Sequence, residues 1–178
     1  MYPRSQRSLA ALDAELRHWR DVVAEHAQGA AVVRPEVSAW SVAQHVDHIA
    51  TATLLNLRAV AKLHQDPAVG NNEPSIKAVG WAVLVSGRIP SGASAPDSVL
   101  PQPAPAATDL TDTLASCEEL IATLRPHTSQ LDTIKRRIPH PILGGFTPRQ
   151  WLRFALIHSH HHTQITQRIS LTPGNPRS

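Results

Sequence analysis

From Ser5 to about Gln28, apolar residues return at three- and four-residue steps: Leu9, Leu12, Leu16, Trp19, Val22 and Val23, with charge between them. That spacing lines them along one stripe of an α-helix, and the stripe has to be buried against another element. The pattern comes back three more times. Ser41 and Gln44 form a capping box, which opens a second helix from Val42 to about His64 with Val46, Ile49, Leu55, Val60 and Leu63 as its apolar residues. A third helix is predicted from about Asp109 to Leu124. Thr147, Pro148 and Gln150 supply an N-cap, a first-turn proline and a capping-box glutamine for a fourth, from Pro148 to about Ser170. No stretch shows the two-residue alternation of a half-buried strand. The expected class is all-α: a four-helix bundle with a long crossover between the second and third helices.

At 178 residues the chain makes one domain, 1–178, with an irregular proline-rich insertion at about 71–107. Within it, "IKAVGWAVLVSG" reads as a short helix or a buried extended piece. "RIPSGASAPDSVLPQPAPAA" then places five of the chain's 15 prolines between Pro90 and Pro105, which forbids a continuous helix. A loop this long inside a compact domain is commonly functional or disordered. Residues 88–107 are expected to lie over one end of the bundle or against a partner subunit.

Seventeen Lys and Arg stand against 14 Asp and Glu, and the only tight basic run is "KRR" at 135–137. Without a clustered basic face and aromatic readers, no nucleic-acid partner is expected. Cys117 is the single cysteine, so there is no internal disulfide framework. It reads as a small buried apolar residue rather than a nucleophile. No apolar leader core opens the sequence, and no run approaches 18 apolar residues. The expectation is a soluble, cytoplasmic protein that does not enter a membrane.

The fourth predicted helix carries "IHSHHHTQI", residues 157–165, with four histidines in five positions: His158, His160, His161 and His162. Helix-forming sequence on both sides argues against a tag. At about 100° per residue, with His158 at zero, Trp151, Ile165 and Ile169 lie within about 20° and Phe154 and His162 within about 40°. His160 falls on the solvent side and His161 at the edge of the stripe. His158 and His162 thus form an inward i, i+4 pair, a spacing that brings two ring nitrogens to one ion. The simpler reading is a pair hydrogen-bonded to neighbouring helices, because H-x-x-x-H alone is common. Helix two offers a third imidazole from "WSVAQHVDHIA", either His45 or His48. Its apolar stripe leans toward His45. Three neutral imidazoles with a fourth position open form an established catalytic zinc arrangement.

Taken together, Trp40, Ser41 and His48, "HPILGG" from His140, the Thr147 to Trp151 spacing, and His158 with His162 resemble the DinB/YfiT-like superfamily. Its members are described as metal-dependent hydrolases and thiol S-transferases. The ending is most similar to an uncharacterised branch with His-Pro-x-x-Gly, then Thr-x-x-x-Trp, then H-x-x-x-H and Gln. The resemblance is clear over helices two and four and weak between them. It implies a bundle with a divalent ion, zinc or nickel, held by His48, His158 and His162, often in a homodimer. It places His48, eight residues after Trp40, in the ligand position, in preference to His45. Some members carry a further histidine where this chain has Ile165. The resemblance also keeps His140 near the site, as a group that orients a ligand or transfers a proton.

The expected function is that of a metal-dependent enzyme acting on a small molecule, with transfer of a low-molecular-weight thiol favoured slightly over hydrolysis. His45, His140 and His161 are the candidate acid–base groups. A non-enzymatic bundle that binds or senses metal is the alternative. Gln164 and Trp151 are assigned to packing or hydrogen bonding, and His18, His26, His64 and His127 to surface or ordinary structural roles.

Overall fold

Six helices and one short hairpin account for the regular structure of this computed structural model, which describes residues 3–25, 33–71, 75–90, 92 and 94–171. The four long helices are α1 (Arg4–Glu25), α2 (Val42–Gln65), α4 (Ala107–Leu124) and α6 (Pro148–Leu171); α3 (Ala78–Ser86) and α5 (Thr128–Thr133) are short. The described residues are all-α apart from β1 (Ile138–His140) and β2 (Gly144–Phe146), which pair antiparallel. The predicted end of the first helix near Gln28, and His26 with it, lie outside the described residues.

Each amphipathic stripe finds its cover. α1 and α2 both pack on α4 and on α6, while α1 and α2 scarcely meet. Leu12, Trp19, Leu57, Leu114, Leu131 and Phe146 are fully buried between them. Each such side chain contributes roughly 1.5–3 kcal/mol relative to exposure. Because α2 also runs beneath the 3₁₀ turn Asp97–Val99, it is buried on most of its circumference. Leu55, expected on the stripe, instead falls on the open side at 39% exposure.

The helix ends follow the sequence signals in different degrees. At α2 the capping box is complete: the Gln44 amide donates to Ser41 Oγ at 3.2 Å and the Ser41 amide to Gln44 Oε1 at 2.9 Å. At α6 only half of it forms, since both the Thr147 amide and its hydroxyl donate to Gln150 Oε1. The basic run at 135–137 has an internal use. Arg136 donates to the carbonyls of Leu63 (2.6 Å), Asp66 (2.8 Å) and Val69, closing the C-terminal end of α2, whose last carbonyls lack helical partners.

The hairpin sits on the segment leading into α3. The Lys77 amide donates to the Leu143 carbonyl at 3.0 Å and the Gly145 amide to the Ser75 carbonyl at 3.3 Å. Gly144 has φ +89°, and a Cβ there would lie 2.5 Å from the Ser75 oxygen. Only glycine permits that approach. Strands of three residues are too short to show alternation, which is why periodicity missed them. The described residues between 71 and 106 hold α3, the 3₁₀ turn and no long helix. No helix among the described residues is long and apolar enough to cross a membrane.

Candidate metal centre

α2 and α6 run side by side, and His45 and His48 of one meet His158 and His162 of the other in the seam between them. His48 Nε2 lies 3.0 Å from His158 Nε2, which lies 3.1 Å from His162 Nε2. The three ligand atoms are all within 4.8 Å of one another, and the group has the composition and spacing to hold a metal ion. Two nitrogens at ordinary zinc distances on a tetrahedral ion sit about 3.3 Å apart, so these separations suit the ion's size. His18, His64 and His127 take no part in the cluster.

What the other ring nitrogens touch decides which way the lone pairs face. His48 Nδ1 is 2.6 Å from the Val99 carbonyl, which only accepts, so Nδ1 carries the proton and Nε2 offers its lone pair. His162 Nδ1 lies 2.8 Å from His45 Nδ1, and His45 Nε2 lies 3.0 Å from Ser38 Oγ. If His45 donates to the serine, its Nδ1 accepts from His162, and His162 Nε2 is also left as a lone pair. The reversed chain of protons would put a hydrogen on His162 Nε2 and block it. A cation selects the first arrangement. His158 has no such support: its Nδ1 is buried without a partner.

The profile of the DinB superfamily matches residues 5–165. The chain belongs to the DinB superfamily. No curated protein and no solved structure matches it.

In this DinB-superfamily chain, burial keeps the clustered imidazoles neutral. It pushes His45 down to about 4 and His158 and His162 well below the ordinary value, with mutual repulsion among the histidines adding to it. His48 is lowered too by burial, partly offset by the Val99 carbonyl and Asp47. Neutral imidazole is the form that binds metal, so no proton has to be displaced near neutral pH.

The structure brings both helix-two candidates to the seam, rather than one. His48 joins His158 and His162, while His45 stands behind His162. The leaning of the apolar stripe toward His45 does not separate it from His48, because α2 is buried on most of its circumference and both rings are covered. On α6 the deepest face is centred nearer Ala155 and His162 than His158. His158 is half-buried on its flank, and Ile165 is half-buried one turn beyond His161. Ser159 turns inward instead, where it accepts from Trp19 Nε1 at 2.8 Å and donates to Glu15 at 2.9 Å. His160 is exposed, 3.4 Å from Glu15.

The cluster forms one wall of a cleft of about 500 Å³. Trp40 covers it, its ring 5.0 Å from that of His48 and nearly parallel to that of His162. Ile89, Pro90 and Pro96 of the proline-rich stretch, with Ile142 and Phe154, belong to its apolar lining, and His140 and His161 also face it. His140 reaches the seam through Phe154, whose ring is 4.9 Å from His140 and 5.5 Å from His158. Burial lowers His140 to about 4. Cys117 is buried in the core with its thiol pushed up to about 12, unsuited to a nucleophile. Ser38 and Val99 escaped the sequence reading. A hydroxyl seven residues before His45 and a carbonyl 51 residues after His48 carry no motif of their own.

Proposed function

We propose that this chain is a metal-dependent enzyme in which the four long helices act as a bundle, and His48, His158 and His162 hold a zinc or nickel ion against a small-molecule cleft. The observation that carries this reading is the convergence of three imidazole Nε2 atoms on a cleft of about 500 Å³. Imidazole suits both ions. A bound ion of this kind supplies Lewis acidity, which favours the deprotonated form of a thiol or water that it holds.

The remaining imidazoles favour transfer of a low-molecular-weight thiol over hydrolysis. Hydrolysis asks the protein for a base that takes a proton from water, poised near the working pH. His45 is engaged at both nitrogens. His140 spends its Nδ1 lone pair on the amides of Ile142 and Leu143, at 3.1 and 3.2 Å. His161, on the rim, is the one imidazole of the cleft left for that duty. A thiol, acidic enough to ionise beside a cation, makes no such demand. In cobalt-substituted protein a panel of cellular thiols is expected to include one that produces a sulfur-to-metal charge-transfer band, absent in His158→Ala. A cobalt-loaded protein that gives no band with any of them would end the transferase reading and leave hydrolysis.

A further inference from the structure

His140 sits where the turn between β1 and β2 fixes its chemistry. Two backbone amides, Ile142 and Leu143, point at Nδ1. Two donors require a lone pair there, so the neutral ring carries its proton on Nε2. The ring cannot swing away: it packs against Phe154, Trp151 and Phe146, with centroids 4.9, 5.5 and 5.9 Å distant. The hairpin behind it is pinned to residues 75–77 through Gly144. Nε2 meets no acceptor among the described residues, and the residue lines the cleft. Around it the described lining is apolar side chains such as Trp40, Val79, Val83, Ile89, Ile142 and Phe154, with small and imidazole ones, and it holds no Lys, Arg, Asp or Glu.

We propose that His140 is a positioning residue, a fixed N–H donor that selects a compact, uncharged, mainly apolar molecule bearing an acceptor oxygen such as a ketone or ester carbonyl. The donor stands one aromatic ring from the histidine cluster, so an oxygen held there sets the rest of the molecule beside the seam. Away from the three imidazoles proposed to hold the ion, the walls offer an anionic ligand no countercharge, and burying it unpaired there is costly. A hydrocarbon leaves the donor unmet, which penalises it as well. The inference rests on the cleft being the substrate site and names the class of molecule that it takes.

Three probes of one shape test it by NMR titration of the full chain as purified: acetophenone, ethylbenzene and benzoate. His140→Asn is the deciding variant. Its Oδ1 stands where Nδ1 stood and accepts the same turn amides, as asparagine does in Asx turns, while the N–H toward the cleft is lost. The wild type should bind acetophenone about fivefold more tightly than ethylbenzene. In His140→Asn that ratio should fall to about one, with metal content unchanged. The ring should show a proton on Nε2 and none on Nδ1 in ¹⁵N-histidine spectra. A ratio of one in the wild type, a ratio that survives in His140→Asn, benzoate as the tightest ligand of chain stripped of metal, no binding of any probe, or the opposite tautomer would each overturn the proposal. The metal reading fails separately. A chain that holds no ion yet keeps the His140-dependent preference sinks the three-histidine site alone, and a metal-loaded chain without the preference sinks this inference alone.

Discussion

His45 and His48 are one turn apart on α2, and the hydrogen bonds give them different work. His48 presents Nε2 to the seam with its other nitrogen on a backbone carbonyl. His45 presents Nδ1 to His162 and fixes the face that His162 offers. Groups that orient a ligand histidine typically contribute 10–100-fold to metal affinity without being ligands. His45→Ala is therefore expected to weaken zinc binding by about 10- to 100-fold while one ion per chain still binds at saturation. Competition against a chelating dye measures it, and either complete loss of the ion or an unchanged affinity would contradict the assignment. His158 with His162 was readable from phase alone, since four residues return a helix to nearly the same direction. The choice on α2 was not, because a helix covered on most sides has no single stripe to read.

Among the elements, the long helices announced themselves by period and caps, and, apart from the end of the first near Gln28, which lies outside the described residues, their limits differ from those expected by at most two residues. The hairpin did not: three-residue strands leave no alternation, and the glycines that allow it to dock matter through what they touch. An apolar run as short as α3 reads equally as helix or extended segment. The run around His158 holds a further, structural, function. Ser159 links Trp19 on α1 to Glu15, and Thr163 adds a second hydroxyl to the same carboxylate at 3.1 Å. Ser159→Ala would leave the buried indole N–H unmet. It should destabilise the protein by about 1–3 kcal/mol in urea unfolding, without changing metal stoichiometry. Stability within a few tenths of a kcal/mol of wild type would show that the α1–α6 contact does not depend on this bridge.

For the whole molecule, the buried imidazoles make stability depend on pH. His45 has a folded value of about 4 against 6.5 for the free side chain. Between those values the unfolded chain binds more protons than the folded one, so stability rises with pH and is lost on acidification through this window. For His45 alone the difference is about 3 kcal/mol, and the neighbouring histidines shift in the same direction. Metal-free protein should therefore lose stability steadily from pH 6.5 to 4 in denaturant titrations. A flat profile over that range would mean that these rings are not held neutral by burial.

A three-histidine site formed by two helices stands or falls on metal content. Protein purified without chelator or nickel resin, then exposed to zinc and desalted, should retain one divalent ion per chain by elemental analysis. His160→Ala should retain it as well, because that ring faces solvent, whereas His158→Ala and His162→Ala should retain none. Wild-type protein without stoichiometric metal, or His160→Ala as depleted as His162→Ala, would contradict the account.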